Sequence, residues 1–244
     1  MLRRESVPAT TVIDMPARNC PSASTSCGRG FKCGAFTLIE LFVVMAVIII
    51  LMGLAFPAFN SVQNAAKKTQ AKNDLVQIVT AVNAFYTEYG KYPTADTTEV
   101  TYGAGAARTN ELIFNELRAK NTTSTTLNPR QIVFISPPDV KDATQPRSGI
   151  ATQAVGASTP IGSFVDPWGS PYTVRIDADY GGDVINPYGA AGGAGGSPIR
   201  QGVIAWSVGK NGVLGGGAAA GSSFSKESGT ANSYTNSSDV ISWQ

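Results

Sequence analysis

The stretch Gly34-Ala35-Phe36-Thr37-Leu38-Ile39-Glu40, continuing as LFVVMAVIIILMGLAFPAF from Leu41 to Phe59, decides the fold. A small-residue junction leads to one acid, and then to a run with no charged or hydrogen-bonding side chain. As a helix, Phe36 to Phe59 would be roughly 36 Å long at about 1.5 Å per residue. A bilayer core is about 30 Å thick, so the run is long enough to span it. A buried helix of a water-soluble domain normally keeps a polar face over five turns; this run has none. Glu40 stands out. A carboxylate at mid-bilayer costs about 2.5–3.5 kcal/mol, less near an end, so it either sits at the headgroups or finds a cation. A free amine at a new N-terminus a few residues away would serve.

Ala35-Phe36-Thr37-Leu38-Ile39-Glu40-Leu41 resembles the processing site of type IV pilins and type II secretion pseudopilins. The resemblance implies that a membrane prepilin peptidase cuts between Ala35 and Phe36 and that the same enzyme N-methylates Phe36. It also implies that Glu40 pairs with the amine of a neighbouring subunit during filament assembly. The commonest residue before the cut in that family is Gly, which leaves cleavage after Gly34 as the alternative.

The chain has 244 residues, 43% hydrophobic and 15% charged, with a formal net charge of +2. That suits one anchored globular domain of roughly 150–200 residues. The charge is too small to argue for a nucleic-acid partner. With no His in the chain, His-based acid–base chemistry, Ser-His-Asp triads and the usual zinc and haem ligation are excluded.

Residues 1–35 read as a polar, aperiodic leader with an excess of basic residues (Arg3, Arg4, Arg18, Arg29 and Lys32 against Glu5 and Asp14), which favours the cytoplasmic side. Cys20, Cys27 and Cys33 all lie there, at spacings foreign to a zinc knuckle, so a processed chain has no Cys. Lys67, Lys68 and Lys72 follow the span, so local charge nearly balances. The pilin resemblance implies the orientation: leader inside, globular part outside.

Residues 36–59 are expected to form the transmembrane segment, interrupted at Gly53 and Pro57, because proline removes a helix donor and bends or breaks the helix. Residues 60–93 continue as an amphipathic helix, with Leu75, Ile78, Val79, Val82, Phe85, Tyr86 and Tyr89 at three- and four-residue spacing. Lys67, Lys68, Lys72 and Asp74 fall outside that stripe. Gly90 suits a left-handed C-cap and Pro93 cannot continue the helix.

Residues 94–244 form the globular domain. Asn110 is expected to cap a short helix over Glu111–Lys120, and Gln131–Ile135 reads as a strand. Phe164–Tyr172 reads as a turn with Pro167 in its second position and Gly169 at positive φ, anchored by Trp168 and Tyr172. Tyr172–Ile176 and Gly202–Gly209 read as strands, and Gly181–Gly196 and Gly215–Asn236 as Gly-rich loops. Asp177, Asp179 and Asp183 suit paired-acid glycosidase chemistry or a calcium cluster, but more simply form a solvated loop.

Asp166-Pro167-Trp168-Gly169-Ser170-Pro171-Tyr172, then Ser207-Val208-Gly209-Lys210-Asn211-Gly212, then Asp239-Val240-Ile241 near Trp243 are similar in order to the C-terminal half of the major pseudopilin of type II secretion. There the last loops bind calcium. By position the resemblance implies Asn211, Asp239 and Ser207 as ligands; Asn211 stands where the family usually has Asp. Calcium takes six to eight oxygens, so neutral Asn211 weakens such a site.

The expected architecture is therefore α+β and pilin-like: a long N-terminal helix packed on a small antiparallel sheet. The expected role is a non-enzymatic structural subunit of a type II secretion pseudopilus. It would be a single-pass protein of the bacterial inner membrane, with the C-terminal domain outside the cytoplasm. Its implied partners are itself, other pseudopilins, prepilin peptidase, the inner-membrane assembly platform and membrane lipid, with no nucleic acid. Two alternatives are a type IV pilin for adhesion, motility or DNA uptake, and a signal-anchored periplasmic binding module or hydrolase.

Overall fold

The computed structural model describes residues 37–120, 127–215, 233–235 and 237–244, with side chains for all but 54–58. The leader 1–35, Phe36 and most of the insert 217–238 lie outside the described residues. The chain divides into two units, Met1–Met52 and Gly53–Gln244.

Helix α1 runs from Leu38 to Tyr89 without interruption. The break expected at Gly53 and Pro57 does not occur. Proline at 57 removes only its own N–H, hence one bond to the Gly53 carbonyl, and the ladder continues on either side. At the C-terminus Gly90 adopts φ +65°, and its N–H donates to the Tyr86 carbonyl at 2.8 Å. That is the left-handed cap its sequence predicts.

In the second unit, β1 (Val100–Tyr102), β4 (Thr173–Ile176), β5 (Val203–Ser207) and β6 (Val240–Ile241) form an antiparallel sheet in the order β1-β4-β5-β6. Val174 faces Ala205 across β4–β5, and Ser207 faces Val240 across β5–β6. A separate two-stranded ribbon joins β2 (Gly149–Ile150) to β3 (Phe164–Val165). Strands β1 and β2 have no counterpart among the strands expected from the sequence.

The two-residue period of the strands divides the core in two. Val174, Ile176, Val203, Ala205 and Val240 join Leu75, Ile78, Val82 and Phe85 of α1 on one face. Ile204, Trp206 and Ile241 point the other way and meet Val184, Tyr188 and Ala194. The glycine-rich stretch after β4 is thus the cover of the sheet's second face.

Helix α2 spans Glu111–Leu117, shorter than expected, because Ala119 turns left-handed at φ +56°. Asn110 makes no side-chain cap. Fully buried, its amide donates instead to the carbonyls of Phe164 and Tyr172, at 2.8 Å each, and ties α2 to β3 and the start of β4. Gln131–Ile135 is not a strand. Gln131 has φ +53°, the Asn128 side chain takes the Ile132 N–H and carbonyl, and Phe134 and Ile135 donate to the Leu117 carbonyl. With these groups engaged, the segment cannot form a regular ladder. Trp168 is half-buried and Tyr172 fully buried, so both anchor the turn as expected.

Candidate functional site

The described part of the first unit begins at the junction between Thr37 and Glu40. Thr37 precedes the first helical residue, and its N–H and hydroxyl both donate to Glu40 Oε2 at 2.8 Å. The Glu40 N–H donates back to Thr37 Oγ1 at 3.3 Å. This is a reciprocal capping box, which satisfies donors that a helix start would otherwise leave open. The Thr-x-x-Glu spacing is the signature of such a box. Within the chain, Glu40 already has two donors.

Beyond the cap, the large apolar side chains of Leu38–Met52 are exposed on every side, from 44% at Ile48 to 82% at Leu38. Among the described residues no helix is long and apolar enough to cross a membrane. The run that carries the spanning expectation includes Leu54–Ala58, whose side chains, with that of Pro57, lie outside the described residues.

In the second unit, polar groups of the expected stripe-free face of α1 are used for packing. Asp74 accepts a hydrogen bond from the Tyr172 hydroxyl at 2.7 Å, and burial raises its pKa. Lys72 donates to the Ile241 carbonyl at 2.8 Å and to that of Gln244. Neither contact has a signal in helical periodicity, because each partner lies far away in sequence.

The C-terminal loops gather around two buried carboxylates. Asp166 Oδ1 accepts the N–H groups of Trp168, Gly169 and Ser170 at 2.9, 2.7 and 2.9 Å, and Oδ2 accepts the Ser207 hydroxyl at 2.5 Å. Burial pushes its pKa up to about 6 against these hydrogen bonds. Asp239 Oδ2 accepts the Tyr188 hydroxyl and the Gly215 N–H, both at 2.7 Å. Asn211 donates to the Gly215 carbonyl at 3.0 Å and accepts from the Val213 N–H at 3.2 Å.

The structure therefore brings Asn211 and Asp239 together on Gly215 and sends Ser207 elsewhere, to Asp166 and the Gly209 N–H. Asn211 directs its amide N–H, which cannot bind a cation, to the Gly215 carbonyl. Among the described residues no three His, Cys, Asp or Glu side chains are grouped as metal ligands. Calcium takes about six to eight oxygens; of this group the described residues place Asp239, Asn211 and the Gly215 carbonyl together, and most of the insert 217–238 lies outside them.

Asp177 closes its own loop, accepting the Gly181 and Gly182 N–H groups at 3.0 and 2.7 Å. Burial first, then Asp179, raises its pKa; the hydrogen bond from Asp177 lowers that of Asp179. These contacts hold the turn closed and account for Asp177 structurally.

Over 57 residues the chain is 42% identical to the type IV major pilin protein PilA of Myxococcus xanthus (strain DK1622), a match covering 23% of this chain and 26% of that protein. No family model matches the chain, and no solved structure matches it. The similarity supports a pilin-like relationship for that stretch, with which the α+β fold and its antiparallel sheet are compatible.

Proposed function

We propose that this chain is a pilin-like filament subunit, held in a membrane by its N-terminal helix before assembly and bundled through that helix afterwards. One observation carries the reading: a helix apolar and exposed on all sides from Leu38 to Met52, opened by a single capped acid. Such a surface is stable only against lipid or against other helices of the same kind. The similarity to a type IV major pilin supports polymerisation.

In this reading prepilin peptidase cuts between Ala35 and Phe36 and methylates the new amine, and the chain catalyses nothing itself. Glu40 exchanges its Thr37 donors for the amine of a neighbouring subunit, a charged partner that strengthens the pairing in a medium of low dielectric. The similar order of the motifs around Asp166, Ser207 and Asp239 favours a pseudopilin of type II secretion. The relative's own description favours the second reading, a type IV pilin.

Mass spectrometry of the N-terminal peptide, on protein purified from its native membranes, tests the proposal. It is expected to begin at N-methyl-Phe36. A chain still starting near Met1 in cells with active peptidase overturns the proposal and favours a signal-anchored module.

A further inference from the structure

Three tyrosines from two distant segments meet at one edge of the second unit. Tyr92 stacks on Tyr86 at 4.8 Å and on Tyr180 at 5.6 Å between ring centroids. Tyr92 is buried, but Tyr86 is 40% and Tyr180 54% exposed. Tyr180 is held at φ +60°, a conformation a bulky residue rarely adopts. Asp179 and Asp183, both exposed, flank Tyr180 in the same loop.

Among the described residues neither acid is in an ion pair; the carboxylates so engaged are Asp96, Asp139, Glu88 and Glu99. Lys91, on the turn that carries Tyr92, pairs with neither. Exposed tyrosine faces beside uncompensated carboxylates complement a cation with an apolar stem, since the ring quadrupole and the acids attract the same charge. The chain itself presents such groups: Lys68, Lys141 and Arg200 are exposed and in no ion pair among the described residues.

We propose that the Tyr86–Tyr180 surface, with Asp179 and Asp183, is a lateral contact that receives an exposed lysine or arginine side chain from a second copy of this chain. The proposal rests on the filament-subunit reading, which supplies the neighbouring copies. Contacts of this kind would set the spacing of the globular units independently of the N-terminal helices.

A photo-crosslinking residue, p-benzoylphenylalanine, placed at position 180 of the full chain in its native cells tests this, and position 86 provides an independent repeat. The expected product is a covalent dimer of this chain whose crosslinked peptide contains a lysine or arginine. Asp179→Asn combined with Asp183→Asn should lower the dimer yield by up to about fivefold, the range of exposed charge pairs. Intact filaments that give no dimer at either position, or crosslinks only to another protein, overturn the contact and leave the subunit reading standing. Absence of filaments with an unprocessed N-terminus overturns both.

Discussion

The hydroxyl of Tyr172 donates to the carboxylate of Asp74 at 2.7 Å, joining helix α1 to the start of strand β4 across 98 residues of sequence. Tyr172 is fully buried and Asp74 half-buried. Tyr172→Phe keeps the ring and removes the donor, leaving a desolvated carboxylate without it. The expected loss is about 1–3 kcal/mol, read from urea unfolding of the full-length protein in detergent. Asp74→Asn, which keeps an acceptor and drops the charge, should cost less. If the Phe variant unfolds at the parent's urea midpoint, the bond contributes nothing.

Asp166 makes stability depend on pH in a stated direction. Its pKa is raised from 3.8 to about 6, so between those values the folded chain holds a proton that the unfolded chain releases. Its contribution is therefore fully present below about pH 4 and is lost as pH rises through about 6. A shift of that size corresponds to about 3 kcal/mol at most. Asp166→Asn retains an oxygen for the three N–H groups of the turn and cannot titrate. The difference in unfolding free energy between variant and parent should change between pH 4 and 7; a difference flat across that range contradicts the assignment.

Gly103 is needed where β1 meets β4. It has φ +124°, and a Cβ there would lie 2.3 Å from the Tyr172 carbonyl oxygen and 2.7 Å from Thr173 Cα. Both obstacles are backbone, so no side chain can yield. Gly103→Ala should destabilise by about 2–3 kcal/mol, seen as a lower thermal midpoint. An unchanged midpoint would mean that β1 is not seated as described.

Lys72 holds the last strand. Lys72→Met keeps the aliphatic stem against the C-terminal segment and deletes the donor to Ile241 and Gln244. Loss of this charged donor should cost about 1–2 kcal/mol. Hydrogen exchange should speed up at the Ser242 amide, which donates to Ala205, more than at β4. Equal acceleration at both would indicate global rather than local loosening.

The elements that were legible in the sequence are those written in local pattern. The stripe of α1, its Gly90 cap, strands β4 and β5, the turn around Pro167–Gly169 and the apolar run from Leu41 all follow from spacing within one element. Periodicity could also have revealed the Thr37–Glu40 box, since its signature spans four residues. By contrast, the strand expected at Gln131–Ile135 failed because Asn128 and the Leu117 carbonyl bind its backbone groups. The cap expected of Asn110 failed because its side chain is held by donating to two carbonyls far along the chain, those of Phe164 and Tyr172.

By itself, then, the sequence determined that a long helix begins near Glu40, that its first part is apolar on all sides, and that its second part carries an apolar stripe for packing against strands. Only the tertiary structure decided that Asp74, Lys72, Asn110 and Asp166 are connectors, and that Asn211 and Asp239 converge on Gly215 while Ser207 turns to Asp166. Hydrophobic periodicity is a property of neighbours in sequence and survives without the fold. A buried polar group takes whichever partner the packing brings within about 3 Å, and that partner exists only once distant segments have met.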